Sequence, residues 1–75
     1  MSMTRDEAME LARKVTAEMR DDPRNILLLA FLSIFPSRRM LDEGMSDEEI
    51  ISVWQEAVGE MTNRWRRVKA QPSVN

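Results

Sequence analysis

Ile26-Leu27-Leu28-Leu29-Ala30-Phe31-Leu32-Ser33-Ile34-Phe35, closed by Pro36, is the stretch on which the fold turns, because nine of its ten residues are apolar. As a helix it is about 15 Å long, half the thickness of a bilayer core, so it does not span a membrane. Only Ile26 and Ile34 in it are β-branched, and leucine and alanine favour helix over strand. A helix apolar on every side needs cover on every side. A chain of 75 residues has few other segments to supply it. The expected cover is a second copy of the chain or a partner protein.

Signals on either side of this run define the rest of an all-α chain. Asp22-Pro23 places a capping carboxylate before a proline at the first helical position, where its missing N–H is not needed. Upstream, Thr4-Arg5-Asp6-Glu7 fits a capping box and opens a helix predicted from about Arg5 to Arg20. Ala8, Leu11, Ala12, Val15 and Met19 would form its apolar face, with Glu10 and Lys14 paired on the wet side. Downstream, Pro36 is predicted to break or kink the apolar helix at Phe35. A short helical turn to Glu43 would follow, with Gly44 as its left-handed cap.

Ser46-Asp47-Glu48-Glu49 is a second capping box, with three acids at the positive end of the helix dipole. In the helix it opens, Ile51, Trp54, Val58, Met61, Trp65 and Val68 recur at steps of three and four, a heptad pattern widened by Ile50 and Ala57. That stripe is predicted to face the core, with Trp54 more buried than Trp65 and Gly59 on the opposite side. Residues 70–75 read as a frayed tail. The expected fold is one helical domain over 1–75: a small bundle of three main helices plus a short helical turn after Pro36, paired as a symmetric dimer.

Composition excludes more than it assigns. A chain this short buries only about 60% of its unfolded surface, and disulfides, metals or association usually compensate. Cysteine and histidine are both absent, which removes disulfides and the usual zinc, iron and copper ligand sets. No cofactor and no metal is expected. There is also no Ser-His or Cys-His nucleophile pair and no tyrosine, so catalysis would rest on carboxylates, Lys14, Lys69 or arginines, and an enzyme is not expected. Met1 to Arg5 lacks the basic-then-apolar pattern of a signal peptide, and the expected location is cytoplasmic. A net charge of −2 gives no global attraction to nucleic acid.

The candidate interface residues are Leu28, Phe31, Leu32, Phe35, Trp54 and Trp65, because large apolar and aromatic anchors carry most interface energy. Arg38 and Arg39 follow the run and would fringe such an interface. Arg64, Arg66, Arg67 and Lys69, interleaved with Trp65, form a candidate nucleic-acid-binding end. Against that reading, cations at a helix C-terminus complement its dipole without any ligand. Met45 to Ile50 resembles the opening of a helix-turn-helix but lacks the second turn and a polar recognition helix. Glu56 and Glu60, one turn apart and near Asp47, Glu48 and Glu49, would be the place for a divalent ion, but carboxylates on a polar face are usually solvated. Seven methionines suit either a small core or an adaptable surface, and Met1, Met3 and Met45 near helix ends are candidates for exposure.

The expected function is therefore non-catalytic. The chain reads as a protein–protein interaction module (adaptor, inhibitor or assembly factor) acting through an apolar helical surface and self-associating as a homodimer. The alternative is a DNA-associated regulator using the basic end of the last helix.

Overall fold

A computed structural model describes residues 3–70, with the side chains of Lys69 and Ala70 outside that description. Four helices follow in order: α1 (Arg5–Thr16), α2 (Arg24–Leu32), α3 (Ile34–Asp42) and α4 (Asp47–Ala70). No strand occurs among the described residues. Beyond Ala70, the tail expected over 70–75 lies outside them. Among the described residues no helix is long and apolar enough to cross a membrane.

The helix starts follow local side-chain chemistry. Thr4 Oγ1 accepts from the Glu7 amide at 3.2 Å, and the Glu7 carboxylate accepts from the Thr4 amide at 3.3 Å. Ser46 Oγ accepts from the Glu49 amide at 3.2 Å in the same way. Pro23 already has helical dihedrals, φ −53° and ψ −30°, and the Asp22 carboxylate accepts from the Arg24 amide at 3.0 Å. The cap thus acts one residue ahead of the formal helix start.

The break between α2 and α3 falls earlier than Phe35. Ser33 occupies it with φ −75° and ψ −15°, its amide donating to the Leu29 carbonyl at 2.9 Å. Pro36 has no N–H to offer the Leu32 carbonyl and its ring crowds that oxygen, so the ladder is interrupted in the turn before the proline. Pro36 itself lies inside α3, near its start. At the far end, Gly44 adopts φ 90°. Its amide donates to the Leu41 carbonyl and that of Met45 to the Met40 carbonyl, both at 3.0 Å. This is a Schellman closure, and it folds the buried Met45 side chain back beside buried Met40.

The core lies where α1 crosses α4, with α3 closing one end. It is made of Met3, Ala8, Met9, Ala12, Met40, Met45, Ile50, Val53 and Ala57. Ala8, Ala12 and Ala57 are fully buried, and three such small side chains let the two helix backbones approach closely. Methionine, unbranched and adaptable, fills the irregular space around them. All six described methionines are buried, Met3 and Met45 included, so the exposure expected for those two does not occur.

Two expected faces are rotated. On α4 the buried positions are Ile50, Val53, Ala57 and Met61, while Ile51 and Val68 are exposed and Trp54, Val58 and Trp65 half-buried. Of the expected stripe, Met61 and the widening residues Ile50 and Ala57 are buried, but Val53, one residue before Trp54 and not part of that stripe, occupies the centre of the core. On α1 the buried set is Ala8, Met9, Ala12 and Thr16, with Leu11 and Val15 only partly covered.

Helix α1 also ends at Thr16, short of Arg20. The guanidinium of Arg64 donates to the Thr16 carbonyl at 2.8 Å, and the Trp65 indole donates to the Met19 carbonyl at 3.2 Å. Carbonyls that would otherwise need further helix or water are satisfied by α4, and Met19 turns back under the chain.

Candidate functional site

The apolar run folds into α2 and the first turn of α3, where it is almost uncovered. Helix α2 touches α1 and α3 but not α4 among the described residues, and it contains no buried residue. Its most exposed apolar residues are Leu27 at 78%, Ile26 at 68% and Phe31 at 61%; on α3, Phe35 and Ile34 are exposed at 72% and 58%. None of the chain's leucines or phenylalanines is buried, although these are among the residue types most often found inside folded proteins. The core is mainly methionine and alanine with Ile50 and Val53; of the leucines only Leu11 packs against it.

The residues singled out from sequence divide between four places. Phe31 and Phe35 lie on the open surface. Leu28 and Leu32 are also exposed, but turn toward α1 and line a shallow cleft with Val15 and Met19. Trp54 is away from both, half-buried against α3, its indole donating to Ser37 Oγ at 2.8 Å. Beside it an open apolar groove runs along α4, lined by Ser37, Ile51, Trp54, Val58, Gly59 and Thr62. Gly59 therefore borders this groove; nothing lies within 4 Å of where its Cβ would be. Trp65 belongs to the end of the bundle, where it closes α1.

Leu27, Ala30, Phe31 and Ile34, all exposed, recur at steps of three, one and three, the spacing of one ridge along α2 and the start of α3. Sequence reasoning named only Phe31 of these. The run contained the signal for all four, but apolarity on every side carries no information about which side a neighbour covers.

The basic end is divided in the same manner. Arg64 is half-buried and held by Thr16. Arg66 and Arg67 are exposed, and the Lys69 side chain lies outside the described residues. Glu56 and Glu60, considered for a divalent ion, pair instead with Arg5 at 2.8 Å and Arg13 at 2.9 Å, tying α1 to α4. Hydrogen bonding from Arg13 lowers the Glu60 carboxyl below its usual range and raises the guanidinium in return. Arg24 pairs with Asp22 and Arg38 with Asp42, and Glu10–Lys14 is not among the ion pairs seen between described residues. No group of three or more acidic, histidine or cysteine side chains suited to a metal occurs among the described residues.

The site offers area and shape, with little polar chemistry. From Asn25 to Ser37 there is no charged residue. Compared with known protein families, curated proteins and solved structures, the chain matches none.

Proposed function

We propose that this chain is a small non-catalytic protein–protein interaction module, an adaptor, inhibitor or assembly factor, which self-associates through the apolar surface of α2 and the start of α3. The observation that carries this reading is the distribution of apolar residues: no leucine or phenylalanine is buried, and six of the eight are exposed. Contiguous exposed apolar surface beyond a few hundred Å2 is uncommon on soluble monomers and marks interaction sites.

Light scattering across micromolar concentrations tests it. The wild type should be a dimer or larger. Phe31→Glu should lose that mass while keeping its helical circular dichroism, because a side chain 61% exposed contributes little to the monomer's own packing. A wild type that stays monomeric at high concentration overturns the proposal. Exposed Arg66 and Arg67 support a second reading, DNA association. Retention of DNA at low salt, lost in a variant with both arginines changed to alanine, would favour it, since phosphate contacts weaken steeply with salt.

A further inference from the structure

We propose that two copies of this chain pair through the α2–α3 ridge, antiparallel, about a two-fold axis passing between Ala30 and Phe31. This rests on the self-association reading above and specifies its geometry.

Area supports a second copy as the occupant. Ile26, Leu27, Phe31, Ile34 and Phe35 expose 58–78% of their surface. Together that is on the order of 600 Å2, most of the ~800 Å2 each partner contributes to a standard interface. An uncharged surface of this extent needs an equally uncharged counterpart, and residues 25–37 of another copy are one.

The order of side chains then selects the antiparallel register. Leu27, Ala30, Phe31 and Ile34 occupy positions i, i+3, i+4 and i+7, one ridge along the outer side. Ser33 keeps right-handed helical dihedrals, and the Ser37 amide donates to its carbonyl at 3.0 Å, so the break is a bend and leaves the ridge continuous. Reversing one copy about the midpoint of Ala30 and Phe31 places the small Ala30 opposite the large Phe31 of the second copy, twice over. It also places Leu27 opposite Ile34 of the second copy. Large against small at the crossing is how two helices come close without a void.

Charge favours the antiparallel register over a parallel one. In the antiparallel pair the edge carrying Asp22 and its partner Arg24 meets Arg38 and Arg39 of the other copy, at both ends of the apolar strip. Asp22 already accepts from Arg24, and Arg38 lies 3.6 Å from Asp42, so each end becomes a small mixed network. A parallel pair would stack Arg38 and Arg39 on the same residues of the other copy, and like charges facing each other select against that partner arrangement.

The absence of cysteine makes the test unambiguous. Single-cysteine variants Ala30→Cys, Leu41→Cys and Ile51→Cys all change exposed positions, and circular dichroism checks that each folds. Under mild oxidation Ala30→Cys should form a covalent dimer, since the two residues straddle the axis within reach of a disulfide. Leu41→Cys should remain a monomer on a non-reducing gel, because its counterpart would be about 30 Å away at 1.5 Å rise per residue. A wild type that is dimeric, with cross-linking at Leu41→Cys or Ile51→Cys and none at Ala30→Cys, overturns this geometry and leaves self-association standing. A monomeric wild type overturns both.

Discussion

The Glu60 carboxylate accepts two hydrogen bonds from Arg13, both at 2.9 Å, and this contact sets how the α1–α4 seam responds to acid. Because Arg13 lowers the folded-state pKa of Glu60, the folded chain gives up that proton more readily than the unfolded one. The contribution is therefore present above the ordinary carboxylate range and is lost as pH falls through the lowered folded value. Glu60→Gln should lower the melting temperature at neutral pH, and its deficit against wild type should close as the solution is acidified. The pair is solvent-exposed, so added salt should shrink the same deficit. A deficit independent of pH would mean that the glutamine disturbs packing and that the ion pair contributes nothing.

At the scale of the element, α4 is a 24-residue helix with apolar residues on two adjoining stripes. One, Ile50, Val53, Ala57 and Met61, meets α1; the other, Ile51, Trp54, Val58 and Trp65, is left half-open. Gly59 on the open side has free space about it, so Gly59→Ala should gain up to about 1 kcal/mol in denaturant unfolding from helix propensity alone. A loss instead would show that something occupies the groove in solution. The two stripes also explain which features were legible in the sequence. Capping boxes, the Asp22-Pro23 start and the Gly44 cap were legible because each depends on residues within one helical turn. The choice between neighbouring apolar stripes was not, because it is made by Ala8 and Ala12 on another helix. The end of α1 was equally hidden, since Arg64, which holds the Thr16 carbonyl, lies 48 residues away. For the candidate surface, the run from Ile26 to Phe35 marked the apolar segment but not its orientation. Which side stays most open followed only from the cleft that α1 forms with Leu28 and Leu32.

For the whole molecule, a core built on methionine and alanine has little area to spare. Met40 is fully buried where α3 meets α1 and α4, and Met40→Ala should cost about 2–5 kcal/mol, much of the stability available to a domain of this size. Thermal unfolding by circular dichroism reads this directly, and a loss under about 1 kcal/mol would mean that neighbouring side chains collapse into the space. The sulfur in that core has a further consequence. While the chain is folded, the thioethers of Met3, Met9, Met19, Met40, Met45 and Met61 are shielded from peroxide. Each opening exposes them together, and a sulfoxide formed then carries a polar oxygen back toward an interior of thioether and methyl groups. Oxidant thus acts as a ratchet on this fold: every molecule caught open refolds less well than before and stays open longer, so damage in a population concentrates in molecules already hit.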